Sequence, residues 1–214
     1  MTPELNHIYR GDCIEVMKSW PDKCVDLIIT DPPYGMNFQS NMRFNKFKKI
    51  EGDADSFPVH IFPELFRLAR GGVFVFCRWD NLVDIPKPKS FIVWAKNNMT
   101  MGDLEHEYGR SWEGCAFYPM EGHRFNRRPP DIVDCRKVPS GTMVHPTQKP
   151  VPLIESLLID NAGDVVLDPF CGSGTTLVAA ARCNRSYIGI EMDEAYHKIA
   201  AERVALDTAQ GKMF

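Results

Sequence analysis

Asp31, Pro32, Pro33 and Tyr34 stand together directly after the apolar run Val25-Asp26-Leu27-Ile28-Ile29-Thr30, where a buried strand would end. These residue types suit an acceptor whose lone pair is delocalised into a ring, such as the exocyclic amine of a nucleobase. Such an amine must be held and polarised, not merely deprotonated. The Asp31 carboxylate can accept one N–H bond. The Pro32 carbonyl can accept the second, because two successive prolines fix the backbone and remove its competing donors. Tyr34 then offers a flat face on which a base can stack. The same four residues also read as a plain turn after a strand, since aspartate and proline are turn formers.

A second constellation lies far along the chain. Val165-Val166-Leu167 is again a buried-strand run, and it leads through Asp168-Pro169-Phe170-Cys171-Gly172-Ser173-Gly174-Thr175-Thr176 into the helical Leu177-Val178-Ala179-Ala180-Ala181. Strand, glycine-rich turn and helix start make a nucleotide cradle, in which glycines let the backbone approach a ligand closely. No lysine follows the last glycine, which argues against a triphosphate-binding P-loop. Tyr187-Ile188-Gly189-Ile190 reads as the next strand and ends in Glu191, an acid placed to hold two ribose hydroxyls.

The elements that position these groups follow from apolar periodicity. His7 to Arg10 predicts a short strand and Ile14 to Trp20 a helix. Residues 25 to 30 form the strand before Asp31, and Phe62, Leu65, Phe66 and Ala69 fall at helical spacing. Val73-Phe74-Val75-Phe76 is a strand entered from Gly71-Gly72. Phe91 to Ala95 and Cys115 to Tyr118 are further strands, the latter expected near an edge because Pro119 follows it. Leu153, Ile154, Leu157 and Leu158 form a helix started by Pro150 and Pro152. Tyr196, Ile199, Ala200 and Val204 mark a closing helix. Alternating strands and helices predict an α/β fold, a doubly wound and mostly parallel sheet. Asp12, Asp31, the turn from Asp168 to Thr176, and Glu191 would then all lie past carboxyl ends of strands, where open α/β sheets bind ligands.

With these motifs in this order the chain resembles the S-adenosylmethionine-dependent DNA amino-methyltransferases, in the group whose DPPY motif precedes the glycine-rich motif. The likeness covers most of the chain and implies a Rossmann-like methyltransferase sheet with circularly permuted motif order. It implies S-adenosylmethionine as cofactor, with Phe170-Cys171-Gly172-Ser173-Gly174 wrapping its methionine part and Glu191 holding its ribose. Gly11-Asp12-Cys13 resembles the short motif near the cofactor's adenine. His145-Pro146-Thr147-Gln148-Lys149-Pro150 resembles the segment that contacts the methionine end, although His145 reads equally well as a cap or surface histidine. The cofactor set implied is Asp12, Cys13, Asp31, His145, Thr147, Lys149, Asp168, Pro169, Phe170, Cys171, Gly172, Ser173, Gly174, Thr175, Thr176, Glu191 and Met192, with Asp31, Pro32, Pro33 and Tyr34 catalytic. Glutamine and many ribosomal RNA methyltransferases place the glycine motif first, and messenger-RNA adenine enzymes end the tetrapeptide in tryptophan, so Tyr34 favours DNA. Adenine N6 is the expected acceptor, because cytosine-N4 members more often begin the tetrapeptide with serine. The alternatives are an N4-cytosine enzyme and a catalytically silent DNA-binding subunit. The second would carry a broken motif, and both motifs are intact.

Length and composition agree. At 214 residues and 44% hydrophobic content the chain fits one domain, spanning 1–214. No apolar run suits a bilayer and the amino end carries no signal pattern, so no membrane partner and a cytoplasmic location are expected. The seven cysteines are odd in number and widely spaced; they read as reduced thiols, not as a disulfide frame or a metal site. The net charge of -3 and a pI near 6.1 sit awkwardly with double-stranded DNA as partner. Local charge eases this. Arg43, Lys46, Lys48 and Lys49 lie with interleaved aromatics in a basic loop around 37–56 and could contact phosphates. Arg124, Arg127 and Arg128 lie in a short target-recognition region expected around 97–143. Either cluster reads also as a solvated loop. Trp79 and Trp94 are expected in the core or in subunit contacts, leaving a homodimer open.

Overall fold

Apolar runs with no alternation need cover on both faces, and helices provide it in a parallel sheet. The computed structural model describes residues 1–34, 57–97, 105–106, 108–139 and 148–211, with the side chains of 210 and 211 excepted. In chain order the elements are β1 (His7–Arg10), α1 (Cys13–Met17), β2 (Val25–Thr30), α2 (Phe62–Leu68), β3 (Ala69–Cys77), β4 (Ser90–Ala95), β5 (Trp112–Pro119) and β6 (Ile132–Asp134). They continue with α3 (Val151–Asp160), β7 (Val165–Asp168), α4 (Thr175–Arg182), β8 (Ser186–Glu191) and α5 (Glu194–Gly211). Two short 3-10 helices, Val59–Ile61 and Trp79–Val83, flank α2 and follow β3.

Among the described residues, eight strands form one sheet in the order β1-β8-β7-β2-β3-β5-β4-β6. Only β5 runs against its neighbours β3 and β4; every other pairing is parallel. Alternation along β2 splits the core between the two faces. Ile28 packs with Met17, Trp20, Phe62, Leu65 and Leu68 under α1 and α2. Leu27 and Ile29 pack with Leu153, Ile154, Leu157, Ala179 and Ala180 under α3 and α4.

The doubly wound, mostly parallel sheet expected from the sequence is therefore present. Two local expectations need correction. Cys115 to Tyr118 is not near an edge: β5 lies between β3 and β4. Pro119 is the last residue of the strand, opposite Gly72, where a missing N–H interrupts no ladder. Gly71 and Gly72 lie inside β3, and a Cβ on Gly71 would come 2.7 Å from the Asp26 carbonyl oxygen of the adjacent strand. The described part of the region around 97–143 supplies β5 and β6 to the sheet. Trp94 is buried in the core and Trp79 is 63% exposed.

Candidate active site

The four neighbouring strands β1, β8, β7 and β2 run parallel and end side by side. Beyond their carboxyl ends lies a cavity of about 370 Å³, within the range of small-molecule sites. Each strand delivers one part of its wall. After β1 come Gly11, Asp12 and Cys13; β8 ends in Glu191 and leads to Met192; β7 ends in Asp168 and leads through Pro169, Phe170, Cys171, Gly172 and Ser173 to Thr175 and Thr176. After β2 come Asp31, Pro32, Pro33 and Tyr34. Motifs far apart in the chain meet because β2 pairs directly with β7, Ile28 opposite Leu167.

The glycine turn is built by backbone conformation. Gly172 and Gly174 have φ of 49° and 80°, left-handed values that favour glycine. Their roles differ. The Gly172 N–H donates to Glu191 Oε2 at 2.8 Å, and the Asp193 N–H donates to Oε1 at 2.8 Å. A carboxylate has about four acceptor positions, so Glu191 is fixed in place yet keeps capacity for hydroxyl donors. Gly174 does not line the cavity, contrary to its expected place in the cofactor set: a Cβ there would lie 3.0 Å from the Ala200 Cβ and 3.1 Å from its Cα. Its missing side chain makes room for α5. Arg203 of that helix donates to the Ser173 carbonyl at 2.5 Å and to Ser173 Oγ at 2.9 Å, holding the turn from behind. Gly174→Val is accordingly expected to destabilise the fold by roughly 2–4 kcal/mol, through overpacking and an unfavourable φ. Thermal unfolding measures this; an unchanged melting temperature with lost ligand affinity would return Gly174 to the ligand wall.

Burial governs the acids and thiols here. It pushes the Asp168 carboxyl up to about 7, against the Thr176 hydroxyl and the Phe170 N–H, whose nitrogen is 3.1 Å from Oδ1. Glu191 is raised by burial and pulled back by the backbone N–H groups of Asp193, Gly172 and Met192. Burial pushes the Cys13 thiol up to about 12 and raises the Cys171 thiol well above its ordinary value, so neither is a thiolate nucleophile. Asp12 has a second task, since its Oδ1 accepts the Glu15 N–H at 3.1 Å and caps α1.

At the other end of the cavity Asp31 is held on both oxygens. The Tyr34 hydroxyl donates to Oδ1 at 2.5 Å, and Lys149 Nζ lies 2.5 Å from Oδ2 and 3.3 Å from the Tyr34 oxygen. Lys149, expected at the cofactor's methionine end, lines the cavity but commits its ammonium to Asp31. Burial pushes the Asp31 carboxyl up while Lys149 pulls it down. Burial also drives the Tyr34 hydroxyl well above its ordinary value, so it stays a donor. Behind Lys149 stand residues that no motif singled out. Glu113 of β5 lies 3.1 Å from Lys149 Nζ, its other oxygen takes Lys96, and the Phe76 ring lies 5.1 Å from the Lys149 ammonium. Their one sequence signal was a charge set inside a strand-like apolar run, Trp94-Ala95-Lys96 and Trp112-Glu113-Gly114-Cys115.

Arg124, Arg127 and Arg128 do not join this site. The Ala162 N–H donates to the Arg124 carbonyl, Arg127 pairs with Asp160 at the end of α3, and Gly122 bonds to Arg70 at the start of β3. These contacts set the cluster at the amino ends of the parallel strands, across the sheet from the cavity; Arg127 is drawn there by the buried Asp160 carboxylate. Arg43, Lys46, Lys48, Lys49, His145 and Thr147 lie outside the described residues.

This geometry has relatives. The N6_N4_Mtase family model, described as DNA methylase, matches residues 94–202. The Escherichia coli (strain K12) protein YubD, described as a methylase, is 34% identical over 219 residues, covering 94% of this chain and 91% of its own length. The Type II methyltransferase M.HinfI of Haemophilus influenzae is 28% identical, covering 94% of this chain and 68% of its own. Among solved structures, the M1.HpyAVI–SAM complex superposes with a TM-score of 0.69 at 26% identity, over 92% of this chain and 98% of that one. With a sheet, a permuted motif order and a shared cavity of this form, the chain belongs to the N6/N4 DNA methylase family.

Proposed function

We propose that the protein transfers a methyl group from S-adenosylmethionine to the exocyclic N6 amine of adenine in double-stranded DNA. The observation that carries the reading is that one cavity joins the Asp31-Pro32-Pro33-Tyr34 corner to the glycine turn and Glu191. The residues present fit that cofactor. The wall is mostly apolar, Glu191 stands ready for a diol, and a related structure carries the same molecule. When bound, S-adenosylmethionine supplies an electrophilic methyl group on a sulfonium. Glu191 and the turn from Asp168 to Thr176 would hold it, with Gly11, Asp12 and Cys13 closing one side.

The chain's own groups act on the amine. Asp31 accepts one N–H and the Pro32 carbonyl the other, which turns the nitrogen lone pair toward the methyl group and fixes its line of attack. An amine that gains a methyl group becomes cationic, and the Asp31 carboxylate would stabilise that charge until the proton passes to solvent. No strong base is required. Tyr34 covers the face of a base that has left the helix stack. Adenine is favoured because the tetrapeptide begins with aspartate.

Nucleoside digests of DNA incubated with enzyme and cofactor are expected to contain N6-methyladenine and no N4-methylcytosine, resolved by mass spectrometry. A cytosine product would keep the mechanism and change the base. Modified RNA or protein with unmodified DNA would overturn the reading.

A further inference from the structure

Asp31, Lys149, Glu113 and Lys96 form a row of alternating charge along the strand ends, from β2 past β5 to the end of β4. Asp31 and Lys149 line the cavity, while Glu113 and Lys96 stand behind them and do not. All four are withdrawn from water: the side chains of Lys96 and Lys149 are 5% and 6% exposed, those of Asp31 and Glu113 21% and 25%. Buried ion pairs of this kind are a poor way to gain stability, because desolvation offsets most of the attraction. Their position beside the amine corner gives them a different use. Lys149 Nζ is 2.5 Å from Asp31 Oδ2 and 3.1 Å from Glu113 Oε2, so its place is set by both carboxylates. Without Glu113 the ammonium would have Asp31 as its single anion and would lose its second anchor.

Resting on the reading of Asp31 as the amine's acceptor, we propose that Glu113 is a positioning residue: it shares the Lys149 ammonium with Asp31, which fixes the carboxylate and leaves it free enough to receive the amine. Lys96 neutralises Glu113, and its ammonium lies 4.9 Å from the Trp94 ring. The row therefore adds no net charge beside the sulfonium of the cofactor. The groups facing Asp31 are Lys149 before α3, Glu113 on β5, Tyr34 after β2, Cys77 on β3 and Asp168 at the end of β7. Of these, Glu113 raises the Asp31 carboxyl and Lys149 lowers it.

The test compares Glu113→Gln, Lys149→Met and the double variant Glu113→Gln/Lys96→Met with the unaltered enzyme, using the full chain, S-adenosylmethionine and duplex DNA. Glu113→Gln is expected to lower kcat by about ten- to a hundredfold with little change in cofactor KM. Transfer requires ionised Asp31, so the rate rises with pH through its titration. Removing the Glu113 charge favours ionisation and should move that acid limb down by about one pH unit, whereas Lys149→Met should move it up. The double variant keeps the row neutral, so it guards against misfolding of the single one; it is expected to retain the lowered kcat and the displaced limb. Recovery of the unaltered rate and limb in the double variant would overturn the proposal, since Glu113 would then serve Lys96 alone. Carbon-13 titration of the Asp31 carboxyl in ligand-free protein reads the same displacement without any assay of activity. If the unaltered enzyme methylates no DNA yet the Asp31 titration moves as expected, the proposed reaction is at fault and the coupling stands. If DNA is methylated and the titration does not move, the coupling is wrong and the reaction stands.

Discussion

Asp31→Ala is expected to lower the single-turnover rate of methyl transfer by roughly a hundred- to a thousandfold, the usual result of deleting one group aimed at developing charge. Binding of S-adenosylmethionine should hardly change, because most of the proposed cofactor set stands on β1, β7 and β8 and their turns. The fold should survive, since Lys149 keeps Glu113 as a counterion. Asp31→Asn retains an acceptor oxygen and should keep more of the rate than alanine does. Rapid-quench kinetics with calorimetry for cofactor affinity separates these effects. If Asp31→Ala transfers methyl groups at the unaltered rate, the corner is only a turn and the amine is held elsewhere.

The Tyr34 series carries the second large effect, and here the structure changes the expectation drawn from sequence. The sequence points to the ring face as the larger contributor and the hydroxyl as the smaller. In the fold its hydroxyl also donates to Asp31 at 2.5 Å, and the ring lies nearly parallel to the buried Phe57, at 19° and 6.4 Å between centroids. Tyr34→Phe should keep the stacking face and lose the hydrogen bond to a carboxylate, a loss of about tenfold in rate. Tyr34→Ala should lose both, and stacking alone is worth roughly 1–3 kcal/mol per base, so a hundredfold or greater loss is expected. Burst kinetics on duplexes carrying one target site would show the ordering. Equal loss in the two variants would assign the whole effect to the hydroxyl; an unimpaired alanine variant would remove the stacking role.

Most of the fold was legible because its signals are local. β2, β7 and β8 are apolar runs that end in an acid or in a glycine turn, and a parallel sheet with helices on both faces follows from that pattern. From the same runs came the side of the sheet on which Asp31, Asp168 and Glu191 lie, since each stands at or just past the carboxyl end of its strand. Adjacency was not legible. That β5 is central, that Gly174 faces Ala200 instead of the cavity, and that Arg124, Arg127 and Arg128 sit at the opposite end of the sheet all depend on strand order and chain reversal, which no residue encodes alone. The pairing of Lys149 with Asp31, and of Glu113 behind it, belongs to the same class. By itself the sequence determined the reactive groups and the strands that carry them; tertiary structure decided which charges neutralise which, because charge pairing depends on separations of a few ångströms between residues distant in the chain.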